Sequence, residues 1–292
     1  MLASGLGVAS PRHPRGNRSK CQAINLSSFT FLSTLMGHRP SEIFGYPPEN
    51  SEMEALRSRR EYLCPFLHGR CTKKSTHYLL EGRKTPFGVC SVWHYGRTGR
   101  EPIPHIICPA RFQESNIIFQ STSGILGSTR RLIFVPEVKV SELGTVDWFV
   151  VNFNPEKPEI INFYGLEVMA VSTTMTGQIV KAMLDSFKGR LLDKYGYGVN
   201  YRQVVSRMIV QLLKKGMAFD SWGRKFIWVI QDALYEYMIS AYSLELKDGL
   251  EQPVGLSVFS LTKNEKSNRF DLQHIYDKSG TLEDFTRMLA PR

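Results

Sequence analysis

No window of this 292-residue sequence approaches the roughly 18 to 20 uninterrupted apolar residues that a membrane-crossing helix needs, so a soluble protein without a membrane partner is expected. Acids are missing from the first 41 positions, which hold Arg12, Arg15, Arg18, Lys20 and Arg39. Half of the formal net charge of +10 therefore sits in that tail. The tail also lacks the continuous apolar segment of a secretory signal, and its Gly, Ser and Arg content fits a partly disordered extension better than an organellar presequence. Cysteine is sparse, five in all, and with no secretory context a disulfide framework is not expected. There is no Gly-rich phosphate loop, nucleophile-elbow serine or His-Glu-x-x-His pattern, which argues against the enzyme classes built on them.

What is present is enough for a core and biased toward an anionic partner. At 42% hydrophobic, the chain can bury one large domain, or a small and a medium one. An excess of 37 Lys+Arg over 27 Asp+Glu favours a polyanion such as nucleic acid. Ser51 followed three residues later by Glu54 reads as the capping box of a helix that delivers the chain to Cys64. Strand-like runs at 131–135, 137–140, 146–152 and 160–171 suggest a mixed sheet. Helical patterns over 201 to about 215 and 223 to about 246 would cover it, and 254–261 reads as a further strand. The fold class is thus α/β of the mixed α+β kind. The expected organisation is a tail over 1–40, a small cysteine-containing module over 41–115 and a main domain over 116–292.

Cys64, Cys71, Cys90 and Cys108 are separated by six, eighteen and seventeen residues in a segment with many Gly and Pro turns and few long apolar runs. Such a segment needs a staple. Four thiolates suit a tetrahedral soft ion, zinc or iron, and the turn residues at Cys64-Pro65, Gly88-Val89-Cys90 and Cys108-Pro109 let backbone approach bound sulfur. Buried reduced thiols are the alternative. His68, His77, His94 and His105 share the segment and read mostly as surface histidines. Cys21 is left over in the tail.

Acids punctuate the strand-like runs. Glu137 opens one, Asp147 lies within another, and Glu167 interrupts the apolar run from Tyr164 to Val171. A solvent-facing position explains the first two equally well. Glu167 has apolar neighbours on both sides, which implies a strand covered on both faces and a carboxylate that is paired, hydrogen-bonded or metal-bound. Clustered carboxylates are what magnesium-assisted phosphodiester hydrolysis requires.

The segments Phe44-Gly45-Tyr46-Pro47, Cys64-Pro65-Phe66, Pro86-Phe87-Gly88-Val89-Cys90, Ile106-Ile107-Cys108-Pro109-Ala110-Arg111-Phe112, Val146-Asp147-Trp148 and Leu166-Glu167-Val168-Met169 resemble NotI-like restriction endonucleases. Residues 222–237 also look like a late helix of that family. The resemblance implies a PD-(D/E)XK nuclease fold in which Asp147 and Glu167 hold magnesium and Glu137 is the acid of the preceding strand. It implies a structural iron at Cys64, Cys71, Cys90 and Cys108, where chemistry alone would favour zinc. It further implies a bacterial cytoplasmic homodimer that hydrolyses double-stranded DNA at a specific, GC-rich palindromic site. Such relatives carry Lys or Gln two positions beyond the Glu, to place the attacking water. Here that position is Met169, whose thioether has no proton to donate. Gln178 and Lys181 are the nearest replacements in sequence. Without a replacement, the expectation becomes a metal-stabilised DNA-binding protein with an impaired site. A zinc hydrolase of small molecules is less compatible, because four cysteines close the coordination shell.

Overall fold

The computed structural model describes residues 38–80, 83–95, 101–126, 132–157 and 159–289. The basic tail residues up to Lys20, Cys21 and the apolar patch at 26–35 lie outside them. The chain begins with β1 (Pro40–Ile43), α1 (Met53–Glu61), the two-residue strands β2 (Leu63–Cys64) and β3 (Gly69–Arg70), β4 (Lys74–Leu80), β5 (Arg83–Pro86), β6 (Val89–Tyr95) and β7 (Pro102–Ile106). A 3₁₀ stretch, Pro109–Asn116, leads to α2 (Ile117–Thr122). There follow β8 (Leu132–Val140), β9 (Gly144–Asn154), β10 (Glu159–Met169), α3 (Thr176–Phe187) and α4 (Tyr201–Gln211). A π-helical turn, Leu212–Gly216, joins α4 to α5 (Met217–Ser221). The last elements are β11 (Lys225–Gln231), α6 (Asp232–Tyr242), β12 (Lys247–Asp248), β13 (Val254–Asn264), β14 (Arg269–Gly280) and α7 (Leu282–Thr286).

Seven strands make the main sheet in the order β12-β14-β13-β11-β10-β9-β8, so the α/β mixed class is observed. β10, β11 and β13 run parallel and the remaining pairs are antiparallel. The parallel centre is apolar on both faces. Along β11, Phe226, Trp228 and Ile230 enter one core cluster while Ile227 and Val229 enter the other. Helices α3, α4 and α6 supply the first cluster, and Phe112, Ile118 and Phe119 supply the second. Ile43, Phe44, Phe87 and Val89 of the cysteine segment also join the first. Gly165 is required where it stands, because a Cβ there would lie 2.4 Å from the ring of Phe219. None of the described helices is long and apolar enough to cross a membrane.

Three local expectations are corrected. Residues 223 onward do not begin a helix. Their run Phe226-Ile-Trp-Val-Ile230 is the central strand β11, and only Asp232–Tyr242 is helical. A short all-apolar run satisfies both periodicities, and the two flanking parallel strands decide for the sheet. The two runs expected at 131–135 and 137–140 are, over the described residues 132–140, a single strand, β8, within which Glu137 adopts a positive φ of 50°. Helix α1 starts after Glu52, with no side-chain cap, and Glu54 accepts instead from the Tyr46 hydroxyl at 3.3 Å.

One ion-paired knot joins the cysteine segment to the far side of the main sheet. Arg111 is fully buried. Its guanidinium donates to both oxygens of buried Glu42 on β1 at 3.0 Å, to Glu114 at 2.9 Å and to the carbonyl of Phe270 on β14 at 2.8 Å. It also lies 4.5 Å over the Phe66 ring. Glu42 further accepts from Ser91 of β6 at 2.6 Å. All three nitrogens of the planar fork donate, a geometry that an ammonium cannot imitate. Arg111→Ala should destabilise the fold by about 3–5 kcal/mol, because it strands a buried carboxylate. Arg111→Lys should recover less than half of that loss. Denaturant titration of the three proteins checks both statements.

Candidate active site and thiol cluster

Strand register assembles the acids. Pro136 pairs with Trp148 and Val138 with Val146, so Glu137 on β8 stands opposite Asp147 on β9. Leu166 pairs with Trp148, so Glu167 on β10 stands opposite Asp147 from the other side. The three carboxylates therefore form one row across adjacent strands, on the sheet face that α4 covers. The 20 positions that separate Asp147 from Glu167 fit a hairpin. Register puts them side by side, and Glu137 with them.

The two inner acids are locked to each other's backbone. Val168 N–H donates to Asp147 Oδ2 at 2.9 Å, and Asp147 N–H donates to Glu167 Oε1 at 3.3 Å. Glu167 is 2% exposed, as the apolar run around it implied. Burial first, and then the charge of Asp147, push its carboxyl up to about 7 against the opposing pull of Lys215. Asp147 is likewise raised, by burial and by Glu137. Two half-desolvated carboxylates side by side are a site that a divalent cation would relieve. Glu137 is exposed at the outer end of the row.

The helix above this row supplies groups that the sequence reading did not single out. Gln211, at the end of α4, donates its amide N–H to Glu167 Oε2 at 2.7 Å and accepts at Oε1 from the indole of Trp228 at 3.0 Å. Lys215, on the π-helical turn, is 7% exposed and donates from Nζ to Glu167 Oε1 and to the carbonyl of Thr145. A signal was available. Val204, Met208, Gln211 and Lys215 fall on one helical face, so two polar residues interrupt an apolar stripe. Met169 does what its chemistry suggests, filling the core at 5% exposure beside Ile230. Gln178 and Lys181 lie on α3. Lys181 pairs with Asp185 at 2.6 Å.

Two open grooves lie next to the row, and their linings include none of its three acids. One, of about 480 Å³, runs past Val168 and Met169 and is lined by Lys73, Gln203 and Arg207. The other, of about 450 Å³, lies at the β8–β9 turn between Lys139 and Lys214 and reaches Thr145. Arg224 and Lys225, expected near a helix start, stand at the start of a strand instead, Arg224 just before β11 and Lys225 as its first residue. There they are held by Asn162 Oδ1 and the Leu250 carbonyl.

The four cysteines are reduced and converge. Cys64, Cys71, Cys90 and Cys108 line a single enclosed cavity of about 10 Å³, together with Phe44, Lys73 and Phe87. That is room for one atom. Among the described residues, no three His, Cys, Asp or Glu side chains stand close enough together, as oriented, to hold an ion. The surroundings nonetheless suit thiolates. Backbone N–H groups of Phe66 and Leu67 point at Cys64, and those of Ala110 and Arg111 point at Cys108. Burial, with repulsion from neighbouring thiols, pushes Cys64, Cys90 and Cys108 up, Cys90 most clearly. Gly88 brings the chain to Cys90 at a positive φ of 65°, with Met183 and Phe44 filling the place of any Cβ. Of the histidines in the segment, His105 is fully buried rather than on the surface. It lies between the Ile103 carbonyl and the Tyr201 hydroxyl, and burial pulls its pKa down to about 4.

A family model described as Restriction endonuclease NotI matches residues 50–270, well over half of the chain. No curated protein matches.

With Glu167 protonated below about pH 7, a divalent ion must displace a proton there. A folded-state carboxyl raised in this way contributes stability at low pH that is lost as pH climbs from the ordinary carboxylate range through about 7. Addition of magnesium should therefore raise the melting temperature more at pH 8 than at pH 6. Thermal unfolding at the two pH values checks this, and an equal shift at both would argue against an ion at Glu167.

Proposed function

The chain belongs to the NotI restriction endonuclease family, a family of type II site-specific deoxyribonucleases, and from that premise we propose a magnesium-dependent enzyme cutting a GC-rich palindrome in double-stranded DNA. The observation that carries the magnesium requirement is the row Glu137, Asp147, Glu167 across three strands, with the innermost acid buried. In this reading the sheet has the PD-(D/E)XK arrangement, and Asp147 and Glu167 hold the ion with Glu137 at the outer edge. When bound, magnesium would neutralise charge on the phosphoryl oxygens as the bond to phosphorus breaks. The protein's own contribution is placement. Gln211, fixed by Trp228, holds one oxygen of Glu167, and the backbone of β9 and β10 holds the carboxylates against each other. The basic grooves on either side suit the phosphates flanking the scissile bond.

Residues 41–115 would serve as the metal-stapled part, with iron or zinc at Cys64, Cys71, Cys90 and Cys108. The shared cavity and the backbone N–H groups aimed at the sulfurs support that reading. A homodimer, one site for each strand of a palindrome, is favoured by the outer end of the sheet. There Ile133, Val135, Ile160 and Ile161 are exposed, an apolar surface that a second copy would cover. The place of action is the bacterial cytoplasm.

Incubation of the purified protein with unmethylated phage DNA should give discrete fragments with magnesium and none with EDTA. Glu167→Ala should lose cutting while keeping the protein folded and its thiol-bound metal in place. Cutting retained in that variant would remove Glu167 from the site. Cys90→Ser should lower the metal content measured on the purified protein, and its solubility with it. A stable, metal-free Cys90→Ser protein that still cuts would take the cysteines out of the account.

A further inference from the structure

Met169 leaves the reaction without a side chain on β10 that can hold the attacking water. We propose that Lys215, delivered by the π-helical turn after α4, takes that part, so that the group comes from the covering helix instead of from the strand; this assignment rests on the nuclease reading above. The ammonium has three N–H donors. Two are spent, on Glu167 Oε1 and on the Thr145 carbonyl, and the third has no partner among the described residues. Lys215 thus sits against the carboxylate that would hold the ion, and Thr145 beneath it lines the open groove at the β8–β9 turn. Gln211 is the other polar group on Glu167: one of its two amide N–H groups goes to Glu167 and its oxygen accepts from Trp228, so it too keeps one N–H, but it is neutral where Lys215 is charged.

The helix geometry fits a functional origin for this placement. A π-helical turn replaces the ordinary α-helical repeat over Leu212–Gly216 only, and such single turns gather at functional sites. Gly216 closes it, where a Cβ would meet Leu212 at 3.2 Å and Leu282 at 3.4 Å. A lysine buried merely for packing would be expected to carry its charge to solvent along its stem. Here the charge is carried inward, to the acids.

In the step itself, the water oxygen bonds to phosphorus as the bond from phosphorus to one deoxyribose oxygen breaks. One proton of the water leaves to solvent, and the departing oxygen takes one from solvent. Lys215 holds the water by its spare N–H while Glu167 keeps the ammonium in place.

The test is single-turnover cleavage of a duplex carrying the site mapped on phage DNA, run with wild type, Lys215→Met and the double variant Met169→Gln/Lys215→Met. Affinity for the same duplex is measured with calcium in place of magnesium. Lys215→Met should cut on the order of 100-fold more slowly or worse, the scale of a group placing a transferring proton. Its calcium-supported DNA affinity should stay within about threefold of wild type, a difference of less than about 0.7 kcal/mol. The double variant should regain about tenfold or more of the lost rate. The added amide is neutral and can bind water, but it does not restore the charge pair with Glu167, so a purely structural ion pair would not be rescued. If Lys215→Met cuts as fast as wild type, or if the double variant folds and binds DNA without regaining rate, the assignment is overturned. Failure of wild type to cut any DNA would instead overturn the nuclease reading, and this assignment with it.

Discussion

A carboxylate placed at 2% exposure inside a parallel sheet must be compensated, because an unpaired charge at that depth costs more than the fold can supply. Glu167 is that group, and much of the main sheet's decoration answers it. Asp147 of β9 lends a backbone N–H, α4 lends Gln211, and the π-helical turn lends Lys215. Trp228 on the adjoining strand β11 orients Gln211 in turn. The partners come from separate elements, so the helix, the hairpin and the central strand are held to one another through a single side chain. Compensation is also partial. The carboxyl is still pushed up to about 7, and that residual cost is what a cation would remove.

The cysteine segment meets the same constraint with a different solution. Arg111 and Glu42 are both wholly buried, and they neutralise each other with Glu114, Ser91 and a carbonyl of β14 completing the shell. The motif that carries Cys108 thus also carries the arginine that ties the segment to the main sheet. The thiols one turn away feel Lys73, which pulls Cys108 down against its burial, and Arg111, which does the same to Cys90. Lys73 borders their cavity, but its ammonium is spent on the Ile107 carbonyl at 3.1 Å and the face of Phe87 at 4.0 Å. At Arg111 and Glu42 the protein supplies the pairing itself, whereas the thiols of Cys64, Cys90 and Cys108 are pushed up by their burial.

Residue types and short-range pattern were sufficient for much of this. The alternation and apolar runs around 146–152 and 160–171 gave two strands, and the lone acid in the second announced its own burial. The four cysteines and their turn residues announced a shared site. The apolar run at 226–230 was misread as helix because five consecutive apolar residues fit either period, and its partners, β10 and β13, are 61 residues upstream and 28 downstream by register.

The sequence by itself determined which groups had to be paired, since the cost of burying a charge or a thiolate depends on its chemistry and on the polarity of its immediate neighbours. Only the tertiary structure decided what they are paired with. Asp147 meets Glu137 and Glu167 through strand register, and Lys215 reaches Glu167 across 48 positions because one turn of helix widens and packs over β10. Long-range pairing of this kind is fixed by how helix and sheet faces fit together, and no local pattern encodes it.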